Sequence, residues 1–162
     1  MYPWIVFLHV VGVFGFLLSH GASASVAFAL RRERNLERIR ALLNLSSSSL
    51  SALYGFLLLL LVTGIVAGFI GQWWTRAWIW VALGLLITLL VLMYVLGSDF
   101  YNEVRKAVGL EFIDGMKPHP PIEPASPEVI DALLAHGRPM LITVIGFGGI
   151  AVIAWLMMFK PF

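Results

Sequence analysis

An all-α bundle of four transmembrane helices is the fold class this sequence predicts, on three observations. Apolar runs over 3–30, 50–71, 77–97 and 139–159 each reach the ~20 residues that span a bilayer's hydrocarbon core. Composition agrees: 60% of the 162 residues are hydrophobic, 12% are charged and the mean hydropathy is +0.91, whereas soluble domains carry about 25% charged residues. The runs are also apolar nearly all the way round, without the polar stripe of a surface helix. The chain reads as one membrane domain, 1–162, whose solvent is the lipid bilayer.

The first run could pass for a secretory signal, since Ala22-Ser23-Ala24 resembles a cleavage site. Met1 to Trp4 has no basic residue, however, and the run is far longer than a signal's apolar region, so it is expected to be a retained helix. The connection 31–49 holds Arg31, Arg32, Arg34, Arg38 and Arg40, while the connection around Trp73 to Arg76 has one basic residue. The positive-inside rule therefore makes 31–49 and 98–138 cytoplasmic and puts both termini outside. Trp73, Trp74, Trp78 and Trp80, with Tyr2, Trp4 and Trp155, form the expected outer aromatic belt.

Leu36, Ile39, Leu42 and Leu43 recur at helical spacing among charges, which predicts an interfacial helix or an inward extension of the second span. Ser46 to Ser49 read as a polar turn or a small-residue contact. In 98–138, Pro118, Pro120, Pro121 and Pro124 stiffen an extended stretch. Ser126-Pro127 then starts a short helix through Val129, Ile130, Leu133 and Leu134, stopped by Gly137, and its expected place is against the inner mouth of the bundle. Gly12, Gly15, the run Gly21 to Ala24, Gly64 and Gly68, and Gly146, Gly148 and Gly149 are small positions that let backbones approach, with packing inside the bundle preferred over a partner subunit.

Two histidines, His9 and His20, lie within the first span, where a polar ring needs a partner. They are about three turns apart on one face, roughly 16 Å along the axis, too far to share a metal ion. Two readings stand. Each ring could be satisfied by a hydroxyl or carbonyl on a neighbour, with Ser19, Ser25, Thr63, Thr88 and Thr143 available. Alternatively, each could be an axial ligand of a haem packed between helices, His20 paired with His136 or Met93 and His9 with Met157 or Met158. Against this, membrane methionines are most often core, and His119 reads as loop surface.

The start, Trp4-Ile5-Val6-Phe7-Leu8-His9-Val10-Val11-Gly12, and the end, Trp155-Leu156-Met157-Met158-Phe159-Lys160-Pro161-Phe162, together resemble the CopD and HemJ type of four-helix bacterial membrane protein. That resemblance implies a b-type haem on the first-helix histidine, His9, a redox or electron-transfer role, and the bacterial inner membrane. Two departures weaken the oxidase side of the likeness. Trp78-Ile79-Trp80-Val81-Ala82-Leu83 lacks the lysine that HemJ-type enzymes carry early in the third helix, and serine and alanine stand where they have an arginine near the end of the first. Protoporphyrinogen oxidase activity is therefore not expected.

Copper handling is a weaker reading, because no Met-x-x-x-Met or His-x-His cluster appears. The spans hold no Asp, Glu, Lys or Arg between their ends, unlike proton-coupled transporters and channels. No hydrolase or nucleotide motif is present, no cysteine can form a disulfide or thiolate site, and a net charge of +2 gives no reason to expect nucleic acid. The remaining alternative is a small accessory subunit of a larger membrane complex, or a homo-oligomer, held through the glycine-lined faces.

Overall fold

The computed structural model describes residues 1–114 and 117–162. Helix α1 covers Tyr2–Leu30, with Pro3 in the first turn, where a missing N–H breaks no helical bond. Helix α2 covers Leu36–Ile70 and begins where the Asn35 side chain accepts the Arg38 N–H at 3.1 Å, a side-chain N-cap. Its 35 residues make it about 52 Å long against a hydrocarbon core of ~30 Å. The amphipathic stretch from Leu36 is thus a continuous extension of the second span and not a separate interfacial helix.

Ser46 to Ser49 lie inside α2, so the expected polar turn does not form. The hydroxyls of Ser47, Ser48 and Ser49 donate to the carbonyls of Leu43, Asn44 and Leu45 one turn back, which keeps them from competing for the backbone of another turn. Ser46 is buried, its Oγ 3.3 Å from that of Ser23 on α1. The small-residue contact was the right half of that expectation.

A 3₁₀ turn at Trp73–Thr75 leads into α3, Ala77–Ala107, which outruns the expected third span at its far end. It stops in a Schellman motif: Gly109 N–H bonds Lys106 O at 3.2 Å, Leu110 N–H bonds Arg105 O at 2.9 Å, and Gly109 has φ +72°. Strands β1, Phe112–Asp114, and β2, Lys117–His119, then pair antiparallel, with Phe112 opposite His119. Sequence reading had expected only an extended stretch here, and residues 115–116 of that loop lie outside the described residues. Helix α4, Pro127–His136, ends at Gly137, and α5 covers Pro139–Phe159.

Among the described residues four helices are long and apolar enough to cross a membrane, which makes this an all-α, multi-pass membrane bundle. α1 lies antiparallel along α2. Cβ atoms added at Gly12 and Gly15 would meet Leu60 and Phe56, and Ser23 meets Ser46. α3 pairs with α5 in the same sense, through Leu89 against Gly149, and Phe100 meets Gly137 just before α5 begins. The two pairs join chiefly through α1 and α5.

The largest buried cluster sits at the arginine-rich end, outside the lipid-exposed middle. Val26 and Leu30 of α1, Ile39 and Leu43 of α2, Val104 of α3, and Ile130 and Leu134 of α4 interlock there. α4 packs against this end of the bundle: Ile130 and Leu134 are buried while Val129 is exposed. Arg34 ties α4 down further through Asp131 at 3.2 Å.

Candidate functional site

His9 projects from α1 onto α2 where Gly64 makes room for it. A Cβ at residue 64 would lie 2.9 Å from His9 Cε1 and 3.2 Å from Nδ1. Nδ1 is 2.9 Å from the Leu60 carbonyl oxygen and 3.3 Å from Thr63 Oγ1. A carbonyl can only accept, so Nδ1 carries a proton, and in a neutral ring the lone pair then lies on Nε2. Thr63 Oγ1 also donates to Leu59 O at 2.6 Å, leaving its lone pairs for the His9 N–H. Among the described residues Nε2 makes no hydrogen bond, and the ring is half-buried.

His20 is placed differently. It stacks on Phe16 of its own helix, with ring planes 7° apart and centroids 6.4 Å apart, and tilts against Phe147 of α5 at 4.9 Å. Its Nε2 is buried without a hydrogen-bond partner and presses on α5 at Gly146, where a Cβ would clash with it. Thr143, one turn earlier on α5, likewise buries an unpartnered hydroxyl. Among the described residues, neither Met93 nor His136 bonds to His20.

A pairing of His20 with His136 needs the two at one depth, and this packing separates them. His20 meets α5 at Gly146, about 10 Å along the helix from its start at Pro139. His136 belongs to α4, before that start, with Nδ1 2.7 Å from Ala132 O, and it is exposed. Met93 is half-buried on α3, Met157 is half-buried on α5 and Met158 is exposed. Counting outward equally along antiparallel α1 and α5 from the His20–Gly146 contact reaches His9 and Met157 at similar depth, about 16 Å away. Extending the α3–α5 register from Leu89 and Gly149 puts Met93 near the level of Gly146.

The two histidines therefore fit a haem iron unequally. In His9 one nitrogen is anchored to a backbone carbonyl, as in a ligating imidazole, and the other makes no hydrogen bond among the described residues. A metal–imidazole bond is about 2 Å, and His20 Nε2 has the α5 backbone in that space. A plane as large as a porphyrin enters there only if α5 moves away. Among the described residues no three of His, Asp and Glu converge as a metal-ion cluster.

Sequence reasoning did not anticipate the role of the lysine near the C-terminus. Lys160 takes φ +47° and sets its ammonium 4.2 Å from the Trp73 ring centroid and 5.8 Å from that of Trp78. Tyr2 packs edge-on against Trp73 at 6.0 Å, so α1, α3, α5 and the 3₁₀ turn meet in one aromatic cap. The signal was available in the four clustered tryptophans and a lysine near the same face. Compared with family models, curated proteins and solved structures, the chain matches none.

Proposed function

We propose that this chain is a membrane-embedded b-type haem protein with a redox or electron-transfer role, and that His9 is its axial ligand. The supporting observation is the His9 geometry, with Nδ1–H held by the Leu60 carbonyl and the Nε2 lone pair unused. Hydrogen bonding at Nδ1 fixes the tautomer and raises the basicity of the other nitrogen, as a good iron ligand requires. Met157 is the proposed second ligand because it shares the depth of His9, and histidine with methionine is known haem chemistry. His20 is assigned to packing and not to iron.

When bound, haem supplies one-electron chemistry. The chain's own contribution is to orient the imidazole through Leu60 and Thr63 and to seat it against Gly64. Haem suits this donor set better than a copper ion, since the macrocycle brings four nitrogens and asks the protein for one or two ligands. The resemblance to CopD- and HemJ-type proteins at Leu8-His9-Val10 points the same way. It also supports a bacterial inner-membrane location, with the arginine-rich end inside.

The test is an absorbance spectrum of the purified, detergent-solubilised chain after haem-supplemented expression. A Soret band that disappears in His9→Ala and persists in His20→Ala is the expected result. A folded protein with no such band, or a band indifferent to His9→Ala, would end the proposal.

The second reading, an accessory subunit, is favoured by one observation. Cβ atoms added at Gly55, Gly84, Gly97 and Gly148 would meet nothing within 4 Å, so part of the glycine content is not used inside the bundle. Native-gel migration separates the readings: a cofactor-free protein recovered only in a larger assembly supports the subunit role.

A further inference from the structure

A shallow groove opens between α3 and α5 at the arginine-rich end, with a volume of about 220 Å³. Its walls are Val95, Leu96 and Phe100 of α3 and Leu141 and Ile142 of α5. Its lip is formed by His136 and Arg138, in and just after the last turn of α4. The apolar walls thus lie on two membrane-crossing helices, and the polar lip lies where one of those crossings begins.

Charge sets the lip apart from its surroundings. Most other arginines at this end are engaged: Arg34 with Asp131, Arg38 with Glu33, Arg40 with Glu37, and Arg105 with Glu111 O and Ser47. Among the described residues the Arg138 guanidinium has no ion pair and no hydrogen bond, and it is exposed. His136 donates from Nδ1 to Ala132 O, leaving Nε2 directed away from that bond. No carboxylate lines the groove; Asp99 and Glu103 line a separate depression with Lys106. The first turn of α5 adds uncapped N–H groups beside Arg138, since Pro139 occupies the first position and no side chain caps the end.

We propose that this groove binds one anionic phospholipid, with an acyl chain against Val95, Leu96, Leu141 and Ile142 and its phosphate at Arg138 and the first N–H groups of α5. A lipid is the occupant because the walls stand at membrane depth, where an acyl chain is the available apolar partner, and because the uncompensated Arg138 cation at the groove's lip matches a phosphate. Cationic side chains at the membrane surface favour anionic lipids in the same way. The site is independent of any haem at His9, which lies towards the opposite end of α1.

Native mass spectrometry of the detergent-purified full chain, titrated with dioleoylphosphatidylglycerol or dioleoylphosphatidylcholine, tests this. One phosphatidylglycerol should be retained in preference to phosphatidylcholine. Arg138→Gln should weaken that binding by about fivefold, and Leu141→Trp, which fills the groove, should weaken both lipids. Arg31→Gln removes an exposed charge outside the groove and should leave the affinity unchanged; far-ultraviolet circular dichroism checks that each variant is folded. Equal retention of the two lipids, or equal weakening by Arg31→Gln and Arg138→Gln, would overturn the proposal, since either result describes unspecific adsorption.

Discussion

Gly64 and His9 are fitted to one another across the α1–α2 interface. A methyl group at 64 would stand 2.9 Å from His9 Cε1, and the same ring donates to Leu60 O at 2.9 Å, one turn before Gly64 on α2. The glycine lets the imidazole descend to the carbonyl. The carbonyl then decides which ring nitrogen is left to act.

Gly64→Ala should push the ring off Leu60. Overpacking at a tight contact is typically destabilising by about 1–3 kcal/mol, read as a lowered midpoint of unfolding in detergent. If haem is bound at His9, the same variant should also shift or weaken the Soret band. An unaltered band with an unaltered midpoint would mean that the ring is not held as described.

His20 and Gly146 offer a cleaner test of packing. Gly146→Ala should destabilise by about 1–3 kcal/mol because the new methyl meets His20 Nε2. His20→Ala removes the obstacle, so the double variant should recover part of the loss, a coupling of the kind expected for residues in contact. Strict additivity of the two changes would contradict the contact.

Leu134 is fully buried in the cluster at the arginine-rich end. Leu134→Ala should cost about 2–5 kcal/mol and free α4, seen as faster amide exchange over 127–136. Val129→Ala, on the exposed face of the same helix, should change stability by less than about 0.5 kcal/mol.

Lys160→Ala should loosen the aromatic cap by about 0.5–2 kcal/mol, the range of a cation over an indole. Tryptophan emission should change with it, because Trp73 and Trp78 lie beneath the ammonium. Lys160→Arg should preserve the emission.

Glu33 gives the clearest pH dependence outside the membrane. Its carboxylate accepts the N–H groups of Asn35 and Arg34, which hold its pKa below the ordinary value, with Arg38 and Arg34 adding to the effect. A lowered folded pKa means that the stabilisation is present above the ordinary carboxylate value and is lost as pH falls through the lowered one. Amide exchange at Arg34 and Asn35, corrected for intrinsic rates, should quicken on acidification in the native chain. The acid-dependent step should be missing in Glu33→Gln.

Span number was legible because length and hydrophobicity alone limit what can cross a bilayer. Local punctuation was legible too: Ser126-Pro127 and Gly137 bracket α4. The continuation of α2 through Ser46–Ser49 was less so, because serine can either end a helix or bond back to its own carbonyls, and the choice rests on neighbours such as Ser23. The β1–β2 hairpin was missed for a related reason. Its cross-strand stack of Phe112 on His119 and the bonds from Asn102 to Ile113 are long-range partners that no local pattern announces.

By itself, the sequence determined that four helices must cross a membrane and that two imidazoles must lie within the first of them. Tertiary structure alone decided that His9 faces α2 and a carbonyl while His20 faces α5 and a glycine. The physical reason is that helices apolar on every side carry no stripe to say which face turns inward. In lipid the choice falls to steric fit between glycines and rings, a property of pairs of helices and not of either one.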